Sequence, residues 1–169
     1  MIDQYIDVTE KWIKEAKPKK GKIKFLKYSI TNKNEKYSLS NSILGFDVND
    51  DFFVGTWFKN NIWGNCRFQP SVNFPQGIRT PDLIVFNCPF LSGRTIEIKT
   101  VKSKRKDGLA RRLKEARGQS ENVLLDVSDY EFDIDVIKQE VQKYFVKHKT
   151  LKTIITKKNN LLLFVWRKL

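Results

Sequence analysis

The segment TPDLIVFNCPFLSGRTIEIKT, residues 80–100, decides how the chain folds. It holds two apolar, β-branched runs, DLIVFN and RTIEIKTV, separated by the turn-forming CPFLSG. Such runs bounded by proline, glycine and asparagine read as two strands of a hairpin. Three charges interrupt the pattern: Asp82 directly after Pro81, then Glu97 and Lys99 two residues apart. In a strand, residues i and i+2 share a face. Glu97 and Lys99 therefore leave one side together, while Ile96 and Ile98 leave the other toward a core. An aspartate at the start of the neighbouring strand would deliver a second carboxylate to Glu97. The connection NCPFLSG is longer than a tight hairpin turn, so the sequence leaves the register between Asp82 and Glu97 open.

The rest of the chain supplies an α/β setting for this hairpin. Residues 2–16, with Ile2, Tyr5, Ile6, Thr9, Ile13 and Ala16, are spaced as an amphipathic first helix, ended by KPKKGK. KIKFLKYSI alternates as a strand, and TNKNEKYSLSNSI is a polar loop passing into a short helix. DDFFVGTWFKNNIWGNCRF fits either a helix over residues 51–60 or a strand pair. RFQPSVNF reads as extended and PQGIRTP as a turn. After the hairpin, LARRLKEARGQSEN (109–122) is expected to be helical, with a core stripe of Leu109, Leu113 and Ala116. VLLDVS is a continuous apolar run typical of a strand buried on both faces. IDVIKQEVQKYFVKH puts Ile134, Ile137, Val141 and Tyr144 on one helical face. LKTIIT, the turn KKNN and LLLFVW end the chain as two strands. No repeat, low-complexity tract or linker divides the 169 residues. The expectation is one domain with a mixed central sheet: an N-terminal helical and aromatic extension over 1–65, then a core over 66–169.

Composition narrows the function. The net charge of +13 points to a polyanionic partner, nucleic acid or an anionic membrane surface. The charge is concentrated: nine lysines and arginines lie between Lys99 and Arg117, against Asp107 and Glu115. Nine minus two leaves seven of the thirteen excess charges in a stretch that begins at the Glu97–Lys99 pair. Neither an 18-residue apolar run nor a signal-peptide pattern is present. Cys66 and Cys88 read as reduced thiols, and the single histidine, His148, as a plain exposed residue. Zinc-finger spacing, a histidine pair for RNase chemistry and a glycine-rich phosphate loop are all missing. Trp57 and Trp63 with Phe52, Phe53 and Phe58 could stack on unpaired bases, but core packing suits them better.

Two carboxylates brought together desolvate and repel each other, and a divalent cation relieves both effects. Hard oxygen donors suit Mg²⁺ or Mn²⁺. The literal elements PD (Pro81–Asp82) and EIK (Glu97–Ile98–Lys99) resemble the PD-(D/E)XK nuclease superfamily, whose core order is αβββαβ. That resemblance implies phosphodiester hydrolysis, with a metal on Asp82, Glu97 and the backbone carbonyl of Ile98, and Lys99 as the catalytic lysine. Mg²⁺ or Mn²⁺ is expected, with Zn²⁺ an alternative. Gln119, on the helix after the EIK strand, matches an assisting glutamine of many members. Lys102, Lys104, Arg105, Lys106, Arg111, Arg112 and Lys114 form the expected phosphate-binding face.

A narrower resemblance spans roughly residues 70–129. The ordered elements TPD, EIK, EA-x-x-Q-x-x-N and an apolar strand carrying Asp126 are similar to C-terminal nuclease domains of bacterial polymorphic toxins. Among these are tRNase domains of contact-dependent inhibition proteins and related domains attached to phage minor head proteins. RNA, often tRNA, is the implied substrate, acted on in the cytoplasm of a target cell, with an acidic immunity protein as partner. Three other readings stay open: a DNA endonuclease of the same superfamily, a metal-independent RNase of the barnase/colicin type, and a non-catalytic nucleic-acid-binding module.

Overall fold

The computed structural model describes residues 5–7, 24–25, 50–63, 66–68, 81–88, 91 and 93–168. Among these residues eight strands form one mixed sheet, in the spatial order β1-β8-β7-β6-β5-β4-β3-β2. The strands are β1 (Tyr5–Asp7), β2 (Lys24–Phe25), β3 (Cys66–Phe68), β4 (Leu83–Val85), β5 (Thr95–Thr100), β6 (Asn122–Asp126), β7 (Thr153–Lys158) and β8 (Leu161–Lys168). Among the described residues three helices accompany them: α1 (Asp50–Asn61), α2 (Asp107–Ala116) and α3 (Ile134–Lys147). The succession α1–β3–β4–β5–α2–β6 is the expected αβββαβ order. β5, β6 and β7 run parallel, and antiparallel strands flank them on both sides.

Both faces of the central strands are buried, which is why VLLDV shows no polar alternation. Val123, Leu125 and Ile154 pack with Leu109 and Leu113 of α2 and with Ile137, Val141 and Phe145 of α3. The residues between them, Leu124 and Ile155, join Ile96, Ile98 and the α1 residues Val54, Trp57 and Phe58 on the opposite face. α1 thus covers one side of the sheet, and α2 and α3 cover the other. Trp57, Phe58 and Trp63 are core residues, whereas Phe53 is exposed. Cys66 and Cys88 are free thiols, and burial pushes the Cys66 thiol up to about 11, against the opposing charge of Lys59.

Several expectations need correction. Tyr5–Asp7 lies inside the stretch read as a first helix, yet it is a strand paired antiparallel with β8. An edge strand leaves a row of backbone donors and acceptors open, and pairing with it outweighs a weak helical period. α2 ends at Ala116 and does not run on to 122. The amides of Gln119 and Ser120 fold back onto the Ala116 carbonyl at 2.9 and 3.2 Å. Ser120 Oγ then donates to the Thr95 carbonyl at 2.8 Å, which ties the turn to the start of β5. The buried stripe of α3 is Ile137, Val141 and Phe145. Ile134 is exposed, and Tyr144 is half-buried. Lys157 and Lys158 continue β7, leaving only Asn159 and Asn160 to turn the chain, with Asn159 at φ 52°. The loop and short helix expected over TNKNEKYSLSNSI, and the PQGIRTP turn, lie outside the described residues.

One buried ion pair joins β6 to β7. Lys157 Nζ donates to Asp126 Oδ2 at 2.7 Å, and both side chains are buried. Asp126 Oδ1 accepts from the Ser128 amide at 2.9 Å and from the Ser128 hydroxyl. Every oxygen of this buried carboxylate is satisfied.

Candidate active site

The hairpin register is now settled. β4 and β5 pair antiparallel, with Leu83 opposite Ile96 and Ile84 opposite Thr95. The long connection is accommodated by left-handed backbone at Asn87 (φ 55°) and Gly93 (φ 77°). Extending the register by two residues sets Asp82 opposite Glu97 and Pro81 opposite Ile98. Asp82 Oδ2 accepts the Ile98 amide hydrogen at 2.7 Å, so the carboxylate reaches the centre of β5. In an antiparallel ladder the N–H and C=O of one residue point to the same side. The Ile98 carbonyl therefore also faces Asp82, and Pro81 has no N–H to offer it.

Glu97 is 4% exposed, not the solvated strand residue its charge would suggest. Its Oε1 is ion-paired with Lys99 Nζ, while Oε2 is buried with no hydrogen-bond partner among the described residues. An unsatisfied buried carboxylate oxygen is costly. The electrostatics agree. Burial, then repulsion from Glu97, pushes the Asp82 carboxyl up to about 7, although the Ile98 amide and Lys99 act in the other direction. Glu97 is also raised, chiefly by burial, against the relief given by Lys99. Burial pulls Lys99 down, but its hydrogen bond and ion pair with Glu97 and the fields of Asp82 and Asp51 outweigh this and leave it raised.

Asp51 is the group that sequence reasoning missed. It sits in the first turn of α1, and its field acts on Asp82, Glu97 and Lys99 alike. The signal was the Asp50–Asp51 pair heading an apolar segment whose helical nature the sequence left open.

These donors fit a hard divalent cation in kind: two carboxylates, one oxygen of which lacks a partner, and a carbonyl opposite a proline. Asp82, Glu97 and the Ile98 carbonyl could hold it, and a bound Mg²⁺ or Mn²⁺ would polarise a phosphoryl oxygen and a water. Among the described residues no three His, Cys, Asp or Glu side chains converge as a ligand set.

The remaining predicted residues divide in two. Lys102, Lys104, Arg105 and Lys106, in the loop after β5, are exposed, as are Arg111 and Lys114 on α2. Lys104 lies 3.8 Å from Glu131 and Arg105 3.7 Å from Asp107, loose contacts between exposed groups. Arg112 is half-exposed and paired with Glu115 at 2.8 Å. Gln119 is exposed in the turn after α2 and lines a cleft together with Thr95. His148 departs from the plain exposed residue expected. It is half-buried, packed against Tyr144 with centroids 4.1 Å apart, and hydrogen-bonded to Arg117 at 2.9 Å.

Comparison with known proteins adds one family. Residues 79–161 match the model of the contact-dependent growth inhibition CdiA C-terminal domain, a span that contains Asp82, Glu97, Lys99 and the whole basic segment. Among solved structures, a CdiA-CT/CdiI toxin and immunity complex from Burkholderia pseudomallei is similar at 16% identity and a TM-score of 0.41. That similarity covers 62% of this chain and 71% of that one. No curated protein matches. Among the described residues no helix is long and apolar enough to cross a membrane.

Proposed function

We propose that the chain is a metal-dependent nuclease that hydrolyses phosphodiester bonds, acting as a toxin-type domain on RNA, with tRNA the first substrate to test. The observation that carries this reading is the buried pairing of Asp82 with Glu97, held beside Lys99 and left one donor short among the described residues. A cation on Asp82, Glu97 and the Ile98 carbonyl would neutralise the repulsion and take up the Glu97 oxygen. Lys99, paired with that same carboxylate, is placed to orient a water or to offset charge growing on the phosphoryl group. The order PD, EIK and αβββαβ supports assignment to the PD-(D/E)XK superfamily. The family match over 79–161 supports a contact-dependent inhibition role. A toxin of that kind acts in the cytoplasm of a target cell and requires an immunity partner, which for a chain of net charge +13 would be acidic.

The test is cleavage of tRNA, other RNA, and single- and double-stranded DNA, each with Mg²⁺, Mn²⁺, Zn²⁺ or a chelator. Cleavage that needs metal and is lost in Glu97→Gln supports the reading. Chelator-insensitive cleavage overturns the metal site in favour of a barnase/colicin-type RNase. DNA-only cleavage replaces the substrate, and binding without any cleavage leaves a non-catalytic module.

A further inference from the structure

A second cationic feature lies at the opposite end of β5 from the basic loop. The turn after α2 and the end of α3 enclose a cleft of about 680 Å³, walled by Thr95, Arg117, Gln119, Lys147, His148 and Lys149. We propose that this cleft is a phosphate-binding subsite for a nucleic-acid strand that continues past Glu97 along β5. The proposal rests on the nuclease reading for its ligand, but on separate residues for its geometry.

Arg117 is the centre of the cleft. Its Nη1 lies 2.9 Å from His148 Nδ1. An arginine can only donate, so Nδ1 accepts and the ring proton sits on Nε2. Burial, then the charges of Arg117, Lys147 and Lys168, lowers the His148 pKa and keeps the ring neutral. His148 thus orients the guanidinium without neutralising it. Among the described residues neither Arg117 nor Lys147 has a carboxylate partner.

The competing explanation is that these cations complement the C-termini of α2 and α3, which end here. Each helix end counts as roughly half a negative charge. Arg117, Lys147 and Lys149 on the wall bring three positive charges, and Glu121 subtracts one. Two helix ends subtract roughly one more. Among the described residues of the wall a surplus of roughly one positive charge remains, which suits a phosphodiester.

Position selects the ligand. Thr95 forms the cleft wall, and its side chain shares a face of β5 with Glu97, one pleat repeat or roughly 6.6 Å away. Beyond Lys99, at the other end of the strand, lies the exposed loop of Lys102 to Lys106. A strand laid along β5 therefore meets cations on both sides of the acidic centre, and Gln119 on the cleft wall can meet a base or sugar edge.

The experiment uses the full chain carrying Glu97→Gln, which removes the proposed metal ligand so that substrate persists. Binding of a fluorescein-labelled single-stranded RNA, and of DNA with the same sequence, is followed by anisotropy across a salt series. Arg117→Gln with Lys147→Gln is expected to weaken binding and to flatten the slope of log K against log salt by about 1.4, two single-strand contacts at about 0.7 each. Arg117→Lys with Lys147→Arg keeps the charge and is expected to keep the slope. A slope unchanged by the glutamine pair overturns the subsite and leaves these cations to the helix ends or to an acidic protein. The two readings fail separately. If the chain with Glu97 intact cuts no nucleic acid while the glutamine pair still flattens the slope, the nuclease reading falls and the subsite stands. If it cuts and the slope is unchanged, the reverse holds.

Discussion

Asp82→Asn should make the metal-free protein more stable at neutral pH. In the fold, Asp82 gives up its proton only near pH 7, against an ordinary 3.8, because it is buried and faces Glu97. A raised carboxyl pKa means that the folded state holds the proton more tightly than the unfolded state. The associated stability is complete below about pH 3.8 and is lost as pH rises through about 7. Each pKa unit is worth about 1.36 kcal/mol. At about pH 5 a little over a third of it has been forfeited, and at about pH 8 all of it, on the order of 4 kcal/mol. Asparagine keeps an oxygen for the Ile98 amide and cannot ionise. The variant should therefore gain on the order of 2–3 kcal/mol on wild type between about pH 5 and pH 8. Urea unfolding in chelator at several pH values measures this, and taking the variant minus wild type cancels the titrating groups that do not feel Asp82, leaving the joint titration of Asp82 and Glu97. Mn²⁺ should stabilise wild type more at the higher pH, because metal and proton compete for the same oxygens, and should leave Asp82→Asn nearly unchanged. If the two proteins keep a constant difference across the range in chelator, Asp82 is not held protonated by burial and Glu97, and the account of the site as a strained carboxylate pair is wrong.

Three further outcomes follow from the packing. Asp126→Ala strands the buried ammonium of Lys157 and should cost about 3–5 kcal/mol in urea unfolding, and adding Lys157→Met should recover much of the loss. A single variant within about 0.5 kcal/mol of wild type would refute that ion pair. Gly108→Ala places a Cβ 2.3 Å from the Ser103 Cβ. Overpacking of about 1–3 kcal/mol should outweigh a helix-propensity gain of about 1 kcal/mol, and Ser103→Gly in the same chain should restore stability. Lys99→Met should lower cleavage by about 10²–10³ with an unchanged thermal midpoint, whereas full activity would remove Lys99 from the mechanism.

The parts of the fold legible in the sequence were those where one physical signal dominated. Leu109, Leu113 and Ala116 are spaced as a helix and are all buried. The apolar run from Val123 to Leu125 needs cover on both faces and has it. Glu97 and Lys99 share a face because any strand would put them there. What stayed illegible depended on tertiary partners. The Asp82–Glu97 register rests on the Ile98 amide choosing a side chain over a ladder carbonyl, and on Asn87 and Gly93 absorbing the extra loop. The end of α2 is set by Ser120 finding Thr95, twenty-five positions away in sequence. Asp51 reaches the site only because α1 covers the sheet. The Arg117–His148 cleft joins two helix ends that no local pattern connects.

Asp126 and Glu97 together show why the hairpin's charges are better read as chemistry than as structure. Both carboxylates are buried on the same sheet, on neighbouring parallel strands, and each has a lysine partner. Asp126 is satisfied at both oxygens by Lys157 and Ser128, the arrangement that makes a buried charge tolerable. Glu97 has one oxygen satisfied and one not, and it faces a second carboxylate instead of a second donor. The chain can therefore complete a buried carboxylate when only structure is needed. At Glu97 it leaves the shell open, opposite a proline that also frees the Ile98 carbonyl. A stability optimum would replace Glu97 with an apolar residue or give it a second donor, and among the described residues no such donor reaches it. The proposed divalent cation would meet that deficit with one bound species, since it would offset the repulsion, take up the oxygen and use the carbonyl.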